Sequence, residues 1–160
     1  PTGILSHSAI TDSMGENYRL LRMGSSNRPG YEGTYLKMDG HDIFTEALNQ
    51  VPGVIKSSLD KAGLGIRDVK KVLIHQANEK LDWHVVKRLF KLYKEKVIPD
   101  CIMPMTISWL GNSSVATLPT LYDLIVKGKL DGHQIRPDDI LVFASVGAGL
   151  NINSMVYRVP

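Results

Sequence analysis

Apolar positions along this 160-residue chain switch between two spacings, and the switches mark out its elements. Residues 2–10, with Ile4 and Leu5, predict a strand. Residues 11–34 hold Asp12, Ser13, Gly15, Gly24, Ser25, Ser26, Asn27, Pro29 and Gly30. That turn-forming composition predicts a long irregular segment, with room for a short strand near 18–23. Segments this long in compact domains are more often functional or mobile than structural. Over 41–63, Phe44, Leu48, Val51, Ile55 and Leu59 recur three and four apart, the spacing of one helix face. Pro52-Gly53 predicts a kink or break in that helix, and Gly63 a stop.

A short buried strand over 71–75 leads into a helix over 79–94. A strand over 102–107 and a helix over 113–127 follow, with Gly128 near the helix end. Residues 139–145 and 150–158 predict two strands joined tightly at Gly147-Ala148-Gly149. Strands alternating with helices, closed by a hairpin, predict an α/β layered domain.

Composition narrows the class. Hydrophobic residues make up 43% and charged ones 22%, the balance of a globular protein with a sizeable core. No apolar run reaches the roughly 18 residues of a membrane helix. No signal peptide is present, and the chain opens on Pro1, as expected of a processed product or a piece of a longer chain. The single cysteine, Cys101, excludes an internal disulfide framework and points to a reducing compartment. It precedes apolar Ile102-Met103 with no base beside it and reads as a buried or edge thiol. A net charge of +3 is too small to imply nucleic acid, and Trp83 and Trp109 are too isolated to form a stacking platform. His7, His41, His84 and His133 have no metal-ligand spacing, alone or with Cys101. Gly147-Ala148-Gly149 fails the dinucleotide fingerprint, because Ile152 stands where the third glycine belongs and a strand follows.

Chemistry concentrates in two motifs. His75-Gln76-Ala77-Asn78 follows the apolar Val72-Leu73-Ile74, and Gly111-Asn112-Ser113-Ser114 follows another apolar run. His75 and Asn112 are neutral hydrogen-bond donors, which suit a site where negative charge develops on a carbonyl oxygen. Each also has a plainer role open to it: a strand-end histidine bonded to backbone, and an asparagine capping the next helix. Clustered polar residues beside a buried strand predict a cleft, because such groups are costly to bury without partners. Asn112-Ser113-Ser114 matches a glycosylation sequon, but nothing else suggests secretion.

On the helix after His75, Lys80, His84, Lys87, Arg88 and Lys91 fall within an arc of about 100°. Leu81, Val85, Val86, Leu89 and Leu92 lie broadly opposite. Asp82 intrudes on that apolar arc, which predicts a first turn less buried than the rest. The basic stripe fits either a solvated face or a dock for an acidic partner.

Taken in order, Tyr35-Leu36-Lys37-Met38-Asp39-Gly40-His41-Asp42-Ile43-Phe44, His75-Gln76-Ala77-Asn78, Gly111-Asn112-Ser113-Ser114 and Val146-Gly147-Ala148-Gly149-Leu150 resemble the C-terminal half of a ketoacyl-acyl-carrier-protein synthase III. This is a condensing enzyme of the thiolase superfamily. The resemblance covers nearly the whole chain. It implies an α/β fold over residues 1–160, the C-terminal half of a thiolase-like fold, with a mixed sheet and helices on both faces. It implies that His75 and Asn112 are two of three catalytic residues, the third being a cysteine in an N-terminal half outside this chain. Met38, Gly40, His41, Phe44 and Asn78 match positions lining the channel for pantetheine or coenzyme A. His41 departs from the asparagine or arginine often found there, and Val146 replaces a common aromatic. Lys80, Lys87 and Arg88 match carrier-binding positions.

The implied reaction is a decarboxylative Claisen condensation of an acyl thioester with malonyl-acyl-carrier protein, in fatty-acid or related biosynthesis. The implied partners are acyl-carrier protein, coenzyme A thioesters as substrates, the N-terminal half, and a second copy in a homodimer. No cofactor, metal, nucleic acid or membrane enters, and the implied location is cytoplasmic. This chain alone is expected to be inactive. Two other readings stand beside it: a non-catalytic coenzyme A- or carrier-binding module, and a purely structural half-domain.

Overall fold

The computed structural model describes residues 2–12 and 16–160, so Ser13 and Gly15 of the turn-rich segment lie outside it. In chain order the elements are β1 (Gly3–Thr11), β2 (Leu21–Ser25), β3 (Thr34–Met38), α1 (Gly40–Ala62), β4 (Val69–Ile74), α2 (Glu79–Leu92), α3 (Ile107–Leu110), α4 (Thr117–Val126), β5 (Ile140–Gly147) and β6 (Asn151–Arg158). One sheet runs β1-β6-β5-β4, and β2 and β3 form a separate ribbon. β4 pairs parallel with β5, while β5–β6 and β6–β1 are antiparallel, so the sheet is mixed as expected. The parallel pair requires a long crossover, and α2 to α4 supply it.

Strand alternation divides the core. Val72 and Ile74 of β4 and Val142 and Ala144 of β5 join a cluster with Val51, Ile55 and Leu59 of α1 and Val85, Val86 and Leu89 of α2. Leu73 and Leu141, one residue out of phase, pack instead with Leu121 and Ile125 of α4. Helices therefore cover both faces. No helix among the described residues is long and apolar enough to cross a membrane.

Helix α1 runs unbroken through Pro52 and stops at Gly63, whose φ of 69° suits a left-handed cap. Proline removes the donor that the carbonyl four residues earlier needs. That carbonyl belongs to Leu48, and Arg88 Nη1 of α2 donates to it at 3.2 Å and to Asn49 Oδ1 at 2.7 Å. The break expected at Pro52-Gly53 does not occur, and a side chain from the neighbouring helix serves the carbonyl that Pro52 leaves without its helical donor.

The strand expected over 102–107 is also absent. Residues 102–106 run beside β4 but share one backbone bond with it, Val72 N to Ile102 O at 2.9 Å. Pro104 has no N–H to extend a ladder, and Cys101 turns the chain with φ 58°. Ile102 and Met103 are nonetheless buried, so their apolar character reflects burial without strand pairing. Within 11–34, the short strand expected near 18–23 falls at β2, after a 3-10 turn at Asn17–Arg19, and pairs with an unanticipated β3. The helix expected from 113 begins as a 3-10 turn at Ser114–Ala116 and becomes α4 at Thr117.

Candidate functional site

His75 is the first residue beyond β4. Its N–H donates to Ala144 O of β5 at 2.9 Å, so the parallel pairing fixes where the imidazole leaves the sheet. Burial pushes the imidazole below the usual histidine range. The ring is therefore neutral at pH 7, carrying one N–H donor and one acceptor.

Gln76 follows and is fully buried. Its Nε2 donates to Ile74 O at 3.1 Å, and its Oε1 accepts from Thr106 N at 2.8 Å. This side chain ties the end of β4 to the segment that carries Asn112. Asn78 caps α2, its Oδ1 accepting from Leu81 N at 3.1 Å.

Gly111 makes the turn from α3 with φ 65° and ψ −165°, a conformation open to glycine. Asn112 Oδ1 then accepts from Ser114 N at 2.9 Å, so Asn112 closes a local turn and does not cap α4. Its oxygen is engaged locally, and its amide N–H groups are available as donors.

His75 and Asn112 line the same cleft, of about 130 Å³. Its walls are mostly apolar: Ile43, Ala47 and Val51 of α1, Leu81 and Val85 of α2, Ala144 and Val146 of β5, Leu21 of β2, and Leu20 and Leu150 from connecting segments. Met38 also lines it. The other expected channel residues lie further out. Asn78, Lys80 and Lys87 border an adjoining surface groove with Trp83, His84 and Ile107, and Ala77 lines both depressions. Phe44 packs edge-on against His84, ring centroids 6.2 Å apart. Gly40 begins α1 and His41 is exposed beside it.

The basic residues of α2 separate. Lys80 and Lys87 are exposed at the groove, whereas Arg88 is committed to Leu48 and Asn49 of α1. Leu92, expected on the buried face, is 48% exposed. Asp82 departs furthest from expectation. On the first turn of α2, Glu79 and Lys80 are exposed, but Leu81 is packed into the core and Asp82 itself is 1% exposed. It lines the cleft, and its Oδ2 has no hydrogen-bond partner among the described residues. Burial, helped by the nearby Glu79 charge, pushes its carboxyl up to about 8. Sequence reading took the carboxylate as a sign of exposure, although its place inside the apolar arc was the signal of a buried cleft residue. Leu20 and Leu21 carried no such signal. Cys101 is exposed at an edge and away from the cleft lining.

Comparison with known proteins places this geometry. Residues 59–159 match the family described as 3-oxoacyl-[acyl-carrier-protein (ACP)] synthase III C terminal. A β-ketoacyl-[acyl-carrier-protein] synthase III of Oenococcus oeni is 31% identical over 132 residues, 82% of this chain and 38% of that protein. The Cereibacter sphaeroides protein of the same name is 31% identical over 98% of this chain and 44% of its own length. The crystal structure of 3-oxoacyl-(acyl carrier protein) synthase III from Pseudomonas aeruginosa superposes with a TM-score of 0.78 at 25% identity, covering 98% of this chain and 44% of that one. A priming β-ketosynthase from the R1128 polyketide pathway shares the fold, with a TM-score of 0.80. This chain spans less than half the length of those relatives, and it belongs to the 3-oxoacyl-[acyl-carrier-protein] synthase III family, matching its C-terminal half.

Proposed function

We propose that this chain is the enolate-stabilising half of a condensing enzyme that joins an acyl thioester to a malonyl thioester. The observation that carries this reading is the convergence of two neutral donors, His75 and Asn112, on one apolar cleft. An acyl group is first held as a thioester on a cysteine of the N-terminal half. A malonyl thioester then enters with its carbonyl oxygen toward His75 and Asn112. The bond to the terminal carboxylate breaks, carbon dioxide departs, and the electron pair moves onto that oxygen as an enolate. Donors preset at such an oxygen are each typically worth roughly 3–4 kcal/mol of barrier, because they need no reorganisation as charge appears. A histidine held neutral suits this task, since it donates without having to surrender a proton. The enolate carbon attacks the acyl-cysteine carbonyl, and collapse of the adduct expels the cysteine thiolate.

The groove beside the cleft suits the pantetheine arm of coenzyme A or of an acyl-carrier protein. Lys80 and Lys87 stand at its border, positioned to meet an acidic carrier. Exposed apolar side chains such as Val115 at 91%, Leu36 at 68% and Trp109 at 58% fit a half-domain that buries surface against an N-terminal half and a second copy. The test is product formation from acyl-coenzyme A and malonyl-acyl-carrier protein. The complete synthase, this chain with an N-terminal half bearing the cysteine, is expected to make the 3-oxoacyl product, and the isolated chain none. Turnover by the isolated chain that vanishes in Cys101→Ser would overturn the reading.

A further inference from the structure

The proposed reaction leaves one buried cleft group unused. Asp82 stands on the first turn of α2 at 1% exposure, facing a cleft whose walls are otherwise apolar apart from His75 and Asn112. No side-chain or backbone group among the described residues bonds its Oδ2. A buried polar atom without a protein partner is rare and expensive, and in a binding cleft a ligand oxygen can supply the missing partner. We propose that Asp82 is a ligand-binding residue whose carboxyl donates a hydrogen bond to an oxygen of the bound acyl thioester.

The inference rests on the reading of the cleft as a thioester site. Nothing in the wall supplies that oxygen: Ala47 and Val51 on α1, and Leu81 and Val85 on α2, have only apolar side chains. The charges that bear on Asp82 favour a donor over an acceptor. Its own helix contributes the carboxylate of Glu79, and the sheet contributes the neutral His75 at the end of β4. Among the described residues, no cation lines the cleft to hold Asp82 ionised. A neutral carboxyl has one O–H to give, and a carbonyl or hydroxyl oxygen accepts it. The space, about 130 Å³, is comparable to apolar cavities of roughly 150 Å³ that admit benzene, so a short acyl segment fits. The oxygen has two possible sources in such a ligand: a substituent on the acyl chain, or an amide carbonyl of the pantetheine arm.

Calorimetric binding to the complete synthase with its nucleophilic cysteine replaced by alanine decides, because without that thiol the acyl probes bind and are not loaded. The probes are coenzyme A, hexanoyl-coenzyme A and 3-hydroxyhexanoyl-coenzyme A, each with the unaltered protein, Asp82→Asn and Asp82→Leu. Asparagine keeps a donor at nearly the same volume. Leucine removes it and suits an apolar wall, so loss of fold does not confuse the result. An acyl-chain oxygen predicts tighter binding of the hydroxyacyl probe, a preference kept by Asp82→Asn and cut about 10-fold by Asp82→Leu. A pantetheine oxygen predicts that Asp82→Leu weakens all three probes by that factor, with Asp82→Asn near the unaltered protein. Equal affinities in all three proteins would overturn the inference, as would no binding of any probe to the unaltered one. A synthase that condenses normally while Asp82→Leu binds like the parent refutes this inference alone. One that binds through Asp82 without condensing refutes only the proposed reaction.

Discussion

Gln76 Oε1 accepts a hydrogen bond from Thr106 N at 2.8 Å, joining two segments thirty residues apart in sequence. The same side chain donates to Ile74 O at 3.1 Å. Residues 102–106 form no strand, so the amide of Gln76 does what a ladder would otherwise do. It holds the approach to Asn112 against the strand that presents His75.

Gln76→Leu should therefore lose stability well beyond its change in volume. It leaves two buried backbone groups unpaired, each costing roughly 1–3 kcal/mol. Urea unfolding of the chain checks this through a lower midpoint at unchanged slope. An unaltered midpoint would mean that Thr106 finds another partner and that Gln76 does not brace the site.

Arg88 and Lys87 are adjacent and basic, yet the structure gives them different duties. Arg88 satisfies the Leu48 carbonyl that Pro52 leaves without a donor, and Lys87 faces the groove. Arg88→Ala should destabilise the chain by about 1–2 kcal/mol, and Pro52→Ala should recover part of that loss by restoring the helical donor. Lys87→Glu should leave stability within roughly 0.5 kcal/mol, as surface changes do. In the complete synthase, Lys87→Glu should slow carrier-linked turnover at low salt and spare turnover with malonyl-coenzyme A. Thermal melts and the two donors compared side by side check both halves. Additive effects of Arg88→Ala and Pro52→Ala would show that the two sites are not coupled.

The Asp82 carboxyl gives the fold a pH signature. In the unfolded chain it ionises near pH 4, whereas in the fold its pKa lies at about 8. The folded state thus binds the extra proton between those values, and stability falls as pH rises from about 4 to 8. The slope is up to about 1.4 kcal/mol per pH unit. His75, depressed by burial, acts oppositely, since stability rises with pH through its window below about 6.5. The difference between the parent chain and Asp82→Asn isolates the carboxyl. Denaturant unfolding from pH 5 to 8 should show Asp82→Asn gaining stability relative to the parent as pH increases. A constant difference would mean that the carboxyl is already ionised at pH 5.

Much of this was legible in the sequence. The three- and four-residue apolar spacing of α1 and α2 and the short apolar runs of β4 and β5 follow from faces that must be buried. Two failures share one cause. Local pattern alone misreads both Ile102-Met103 and Pro52: the first pair is buried without strand pairing beside Pro104, and Arg88 of the neighbouring helix serves the carbonyl that Pro52 leaves. Asp82 failed differently, because a charged residue type was taken to mean exposure, and protonation lets a carboxyl be buried. The family motifs located His75 and Asn112. The apolar walls of their cleft come from α1, α2 and the Leu20-Leu21 segment, whose convergence no local pattern encodes.

The most direct measurement is decarboxylation of a malonyl thioester by the complete synthase with its nucleophilic cysteine blocked. That assay follows carbon dioxide release and enolate formation apart from acyl loading. His75→Ala and Asn112→Ala should each slow it by roughly 10²–10³, the usual effect of deleting one oxyanion donor, while acyl loading of the unblocked enzyme changes much less. Decarboxylation at the unaltered rate in both variants would contradict the assignment of these residues to the enolate oxygen.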